Sequence, residues 1–170
     1  MPLVLERCTV RPWRLEDAAA LPKHANNRRV WLGLRDRFPH PYTVEDAKEF
    51  LRGATVAQPS LNFCIEIAGE VSGGIGIRIG SDVHRHVAEL GYWLGEIFWG
   101  HGIMSETVGV FSDYCFETFA LHRLHAELHA NNPASARVLE KNGFAFEGRL
   151  KSNVYKDGQI LDSLVYARIK

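Results

Sequence analysis

Between Val87 and Phe119 the chain passes from a strand-like run, through a corner built on two glycines, into a helix-like run. This junction constrains the fold more than any other segment. The corner reads Trp99-Gly100-His101-Gly102-Ile103-Met104-Ser105-Glu106. Glycine at 100 and 102 removes the Cβ atoms that would stand in front of the backbone, and it permits positive φ. The amides from about Ile103 to Glu106 open the next helix and find no acceptor within it. Such a start holds anions, phosphate above all. Read alone, it is more simply a plain strand-to-helix turn.

Further on, Asn131 to Phe144 reads NNPASARVLEKNGF, a second helix start with a Gly-Phe exit. Asn132 suits an N-cap, Pro133 the first helical position, and Asn142-Gly143 the exit, so capping alone explains these residues. Asn132 faces a ligand only if something else caps the helix, and Ser135 lies at the same end. Together the two segments suggest a cradle for a pyrophosphate-bearing cofactor.

Composition narrows the classes. Lys and Arg number 20, as do Asp and Glu, which leaves no net electrostatic drive toward nucleic acid or an anionic membrane. Cys8, Cys64 and Cys115 are odd in number and far apart, which argues against a disulfide framework or zinc site and fits a reducing cytoplasm. No apolar run approaches the roughly 20 residues of a membrane span, and charges arrive too early for a signal peptide. His125 and His129 share a strand face near His122, but no carboxylate or cysteine joins them at ligand spacing, so no metal is expected. No Lys-Ser/Thr pair follows the glycines, which disfavours a nucleoside-triphosphate loop. The glycines also lie after several strands, with no acidic residue about 20 positions on, which disfavours a dinucleotide fold.

Periodicity predicts strands over Leu3–Val10, Leu61–Ala68, Val71–Ile79, Val87–Leu94, Arg123–His129, Phe144–Leu150 and Ile160–Ile169. Helices are expected over Leu15–Ala25, from Thr43 to about Ala57 with a Thr43/Asp46 capping box, from the glycine corner to Phe119, and over Pro133–Asn142. Asn26–Tyr42 reads as an aromatic, proline-punctuated connection, and Gly69-Glu70 and Lys156-Asp157-Gly158 as turns. Met104, Val108, Phe111, Cys115 and Phe119 make one apolar helix face. No linker or repeat divides residues 1–170, so a single domain is expected, with helices on the faces of a mixed sheet.

The pieces AELGYWLGEIFWGHGIMSE, NNPASARVLEKNGF, EGRL and LVYARI, in this order, resemble the GNAT superfamily of acetyl-CoA-dependent N-acetyltransferases, in its RimJ/RimL-like branch. The resemblance implies an α/β (α+β) GNAT fold, with a mixed, mostly antiparallel sheet of six or seven strands and about four helices. The family's phosphate loop, Q/R-x-x-G-x-G/A, falls on Trp99 to Met104, with Gly102 as its middle glycine, Trp99 in place of Gln/Arg, and Met104 in place of the small last residue. Acetyl-CoA is then the cosubstrate, without a metal. Its diphosphate would lie against Trp99, Gly100, His101, Gly102, Ile103, Met104 and Ser105. Pantetheine would pair with the backbone of Gly91, Tyr92, Trp93 and Leu94, as an added strand does. Asn132 and Ser135 match the branch's N-x-x-S element beside the thioester. Leu139 stands where many members place a proton-donating Tyr, and Ser135 is the nearest substitute as a hydrogen-bond donor to sulfur.

The implied chemistry is direct attack of a primary amine on the thioester. An α-amine of pKa near 8 is roughly 10% free base at pH 7, whereas a lysine near 10.4 is below about 0.1%. Glu89 sits where many members carry a base on the strand before the loop; a strand ion pair is the competing reading, and Glu66 is a second possible base. Trp31, Phe38 and Tyr42 offer an aromatic wall for the acceptor or, alternatively, packing between the first helices. Arg28, Arg29, Arg35 and Arg37 add local positive charge. The resemblance points to a protein N-terminal α-amine of ribosomal-protein type as acceptor. A small amine (polyamine, antibiotic or amino-acid-like toxin) and a CoA-binding module without turnover are the alternatives. A homodimer is a family-level expectation; no nucleic acid or membrane partner is implied.

Overall fold

The computed structural model describes residues 2–56 and 59–170. The chain divides into two compact units, each made of two stretches: residues up to Gly76 with Tyr92–Ile103, and Ile77–Gly91 with Met104–Lys170. The eight strands follow the order β1-β2-β3-β4-β5-β6-β8-β7. Eight rather than six or seven arise because Leu3–Val10 is not one strand. It folds back at Glu6-Arg7, where the Leu5 amide donates to the Cys8 carbonyl at 2.9 Å, leaving β1 (Leu3–Val4) antiparallel to β2 (Thr9–Pro12).

In the first unit β2 pairs antiparallel with β3 (Asn62–Ile67), and β3 with β4 (Glu70–Ile79). The hairpin between them turns on Ala68 and Gly69, both at positive φ, one residue earlier than Gly69-Glu70. The expected helix over Leu15–Ala25 is interrupted: a 3-10 turn over Leu15–Ala19 gives way to α1 (Pro22–Ala25), because Pro22 has no N–H to continue the ladder. The connection 26–42 contains a short helix that periodicity did not indicate, α2 (Arg28–Leu32), started by Asn27, whose side chain accepts from the amides of Arg29 and Val30. The helix α3 (Val44–Val56) opens on the Thr43/Asp46 box; Ala57, its expected end, lies outside the described residues. Trp13, Leu21, Tyr42, Leu51 and Cys64 form the buried core, with Phe38 and Trp93 packed against it.

In the second unit β5 (Val87–Leu94) runs parallel to β6 (Arg123–His129), and β6 and β7 (Ala145–Lys156) each pair antiparallel with β8 (Gln159–Ile169). The strand expected over Phe144–Leu150 runs on to Lys156, with register shifts between Phe146 and Gly148 and between Leu150 and Val154. The helix α4 (Ile103–Thr118) buries Val108, Phe111 and Cys115 completely, the centre of its apolar face. The fifth helix, α5 (Pro133–Lys141), buries Ala136 and Leu139. Asn142 joins the two helices: its Nδ2 donates to the carbonyl of Ser105 at 2.9 Å and to that of Val138 at 2.8 Å. No helix among the described residues is long and apolar enough to cross a membrane.

Candidate active site

The glycine corner is open. Gly100 and Gly102 adopt φ of +81° and +78°, and a Cβ built on either, or on Gly91, meets nothing within 4 Å. Gly73 and Gly95 are small for the opposite reason. A Cβ on Gly73 would sit 2.5 Å from the Trp93 carbonyl oxygen, and one on Gly95 2.9 Å from the His24 ring. Gly53, Gly69, Gly148 and Gly158 are equally unobstructed, and what sets the corner apart is that its open glycines lie directly before a helix start. Ile103 is buried and contributes backbone only; His101 is exposed, and Met104 and Ser105 are half-buried.

The corner is braced in its own unit. Trp99 donates from Nε1 to the carbonyl of Leu94 at 2.8 Å, and the Arg29 guanidinium lies 5.4 Å from the centre of its ring. Arg29 Nη1 also pairs with Glu96, which accepts from Asn27 Nδ2 at 2.8 Å. A single carboxylate thus ties the start of α2 to the turn that carries Trp99. Sequence reasoning missed this cluster; the run of arginines noted above was its one signal.

Along β5 the ladder with β6 comprises three pairs, ending at Glu89 and His125, although β5 continues to Leu94 and β6 to His129. Gly91 lies just past that end, exposed. Glu89 is ion-paired with Arg78, which is the strand-carboxylate reading; its own side chain is 16% exposed and that of Arg78 64%. Its register partner His125 is pushed down in pKa by burial, opposed by the Glu89 charge.

The other expected residues fall as follows. Asn132 is the N-cap of α5: its Oδ1 accepts from the Ser135 amide at 3.2 Å, so that oxygen is engaged by the helix, and Ser135 is half-buried in the first turn. Leu139 is completely buried. Glu66 is held by Arg11, whose Nε lies 2.7 Å from it while the same guanidinium grips buried Asp17 at 2.8 Å; this triad accounts for half-buried Glu66 structurally. Tyr42 is a core side chain, 5% exposed, with its hydroxyl pKa pushed up by burial. Phe38 packs between Tyr42 (4.8 Å) and Trp93 (5.4 Å), and Trp31 stacks on His40 at 5.7 Å. Tyr42 and Phe38 thus take the packing role, and of the three aromatics Trp31 stands apart from that cluster. Among the described residues no group of three or more His, Cys, Asp or Glu is placed to hold a metal.

An acetyltransferase (GNAT) domain family matches residues 7–145. The chain belongs to the GNAT acetyltransferase family. Its reaction is accordingly acetyl transfer, with acetyl-CoA as the family's donor. Over 171 residues it is 28% identical to an uncharacterised N-acetyltransferase p20 of Bacillus licheniformis, covering 99% of this chain and 96% of that one. It is 35% identical over 82 residues to the ribosomal-protein-serine acetyltransferase of Escherichia coli K12, covering 48% and 46% of the two chains. Among solved structures, RimL, a ribosomal alpha-N-protein acetyltransferase in complex with coenzyme A, superposes with a TM-score of 0.86 at 24% identity, over 98% of this chain and 96% of that one.

Proposed function

We propose that this acetyltransferase modifies a protein N-terminal α-amine of ribosomal-protein type, and that residues 1–170 act as one catalytic domain. The observation that carries the site assignment is the open glycine corner at the start of α4. Backbone amides from Gly100 to Ser105 bind the diphosphate, where hydrogen bonds to charged oxygens are the strong kind. The pantetheine arm lies along Gly91, Tyr92, Trp93 and Leu94, where β5 runs on past its ladder with β6. Asn132 Nδ2 is the polar group it can offer that arm, since its oxygen caps α5.

In the reaction the amine nitrogen bonds to the thioester carbonyl carbon, the C–S bond breaks, and coenzyme A leaves as a thiolate. Glu89 takes the proton that the amine loses, directly or through water, and Ser135 donates a hydrogen bond to the departing sulfur. A backbone N–H near Tyr92 polarises the carbonyl. An α-amine suits this modest machinery because a useful fraction of it is already neutral at pH 7. The names of the ribosomal-protein acetyltransferases among the relatives support the same acceptor class. Trp31 is the aromatic retained for the acceptor side.

Thiol release from acetyl-CoA with peptides beginning in Ala or Ser, compared with a panel of polyamines and other small amines, tests the acceptor. Turnover confined to the small amines would overturn it, and no thiol release with either would leave a binding module. Glu89→Gln is expected to leave CoA affinity intact and to lower turnover below pH 8. An unchanged rate and pH profile would remove Glu89 as the base.

A further inference from the structure

From Gly95 to Glu106 the chain carries no lysine or arginine; its charged side chains are Glu96 and Glu106. Coenzyme A brings a diphosphate and a 3′-phosphate, and backbone dipoles supply only partial charge against them. A cation reaches the corner from another element. Arg29, on α2, lies over Trp99, the residue directly before Gly100, and its side chain is 67% exposed despite the pairing with Glu96. We propose that Arg29 is a phosphate-binding residue, holding a phosphoryl oxygen of acetyl-CoA at the glycine corner. This rests on the reading of that corner as the diphosphate loop.

Three features aim the guanidinium. Asn27 fixes the first turn of α2 by accepting from the amides of Arg29 and Val30. The Glu96 carboxylate takes Arg29 on one oxygen and Asn27 on the other, so the arginine is oriented by the turn that leads into the corner. The indole of Trp99, pinned through Nε1 to Leu94, presents a face on which a planar guanidinium rests. A guanidinium has five N–H donors in a fork, so engaging Glu96 through Nη1 leaves donors to turn toward a phosphate. Lysine in this place would keep the charge but neither the stacking nor the fork.

The test is calorimetry and steady-state kinetics on the full chain, with CoA, dephospho-CoA and S-acetylpantetheine as probes. Arg29→Ala is expected to weaken CoA about tenfold, as loss of one charge-assisted bond does, raising KM for acetyl-CoA and leaving kcat in place. The dependence of affinity on salt becomes shallower. With S-acetylpantetheine, which has no phosphate, the variant matches the wild type. Glu96→Gln, which removes the competing charge but keeps a carbonyl oxygen to orient Arg29, binds CoA as well as the wild type or better. Arg29→Gln, which retains a hydrogen-bond donor toward Glu96, shows the same loss as Arg29→Ala. A penalty that persists on dephospho-CoA assigns Arg29 to the diphosphate; one that vanishes there assigns it to the 3′-phosphate. Either supports the proposal. Equal weakening by Glu96→Gln and Arg29→Ala, an equal penalty on S-acetylpantetheine, or no penalty at all would overturn it, reducing Arg29 to a tether of the turn. Absence of CoA binding in the wild type would instead sink the loop reading, and this proposal with it.

Discussion

The helices α4 and α5 each follow a strand, but they begin in opposite ways. At α5 the residue before the helix is Asn132, whose oxygen accepts from the Ser135 amide, and Pro133 removes another donor by having none. At α4 the preceding residue is Gly102, which has no side chain to fold back, and nothing stands within 4 Å of where its Cβ would be. The other long helix start is sealed as well. At α3 the Thr43 hydroxyl accepts from the Asp46 amide at 3.2 Å, and Asp46 accepts from the Thr43 amide at 2.8 Å. On the reading proposed above, a ligand takes the place at α4 that a capping side chain takes at α5 and α3, and stabilises the folded state while bound.

The comparison breaks most visibly at Gly102. Gly102→Val should weaken CoA on the order of a hundredfold, the worth of about two charge-assisted hydrogen bonds denied by the new side chain. The positive φ adds strain of roughly 1–2 kcal/mol, read separately as a lower melting temperature. Calorimetry showing wild-type affinity in a folded variant would mean that the open space is not where the diphosphate lies.

Further along the same helix, Gly109 tests whether glycine can be required there for packing alone. A Cβ on it would sit 2.5 Å from Asn142 Oδ1, the side chain that also holds the Ser105 carbonyl. In an unobstructed helix Gly→Ala gains up to about 1 kcal/mol. Here Gly109→Ala should lose about 1–3 kcal/mol by overpacking, with CoA affinity changed far less than by Gly102→Val. Denaturant unfolding decides the sign, and a stabilised variant would show that Asn142 moves aside freely.

The α5 side of the comparison rests on Asn132. Removing its cap by Asn132→Ala should cost about 1 kcal/mol, or roughly 2–4 °C in melting temperature for a chain of this size. A loss of CoA affinity larger than the loss of stability would make Asn132 a ligand first and a cap second.

How much of this could be read beforehand follows the range of the interactions. The strands β5 and β6 fall on their expected residues, and α5 within one, because glycine, proline and asparagine announce these boundaries through local sterics. The corner and its open backbone were legible for the same reason: a Cβ is either there or not. Where tertiary contacts decide, local pattern gave less. The α2 turn needs only Asn27 as a cap and sits in a stretch too polar and aromatic to show a helical period. The strand β7 runs through Ser152 at positive φ inside the register shift between Leu150 and Val154, where the Ser152 amide donates to the Asp162 carboxylate of β8 at 2.8 Å. Arg29 and Glu96 are 67 positions apart, and no spacing rule joins them. Glu66 looked like a base because a carboxylate in an apolar run has no visible partner; that partner, Arg11, is 55 positions away on β2.

The smallest effect concerns the sealed start of α3. Hydrogen bonds from the Thr43 hydroxyl and amide hold the Asp46 carboxyl below its ordinary 3.8. A depressed carboxyl binds its proton more weakly in the folded chain than in the unfolded one, so its contribution to stability is complete above the unfolded pKa. That contribution is lost as pH falls from 3.8 through the folded value. Asp46→Asn should therefore melt below the wild type at neutral pH by a small margin that closes at the acid end. Thr43→Ala should narrow the same gap, since the hydroxyl is half of the box and the amide remains. The α5 cap, which carries no titrating group, should give Asn132→Ala a deficit that stays level across that range. If the Asp46→Asn deficit also stays level, the carboxylate charge is not what seals α3, and the two closed starts are held by the same neutral hydrogen bonding.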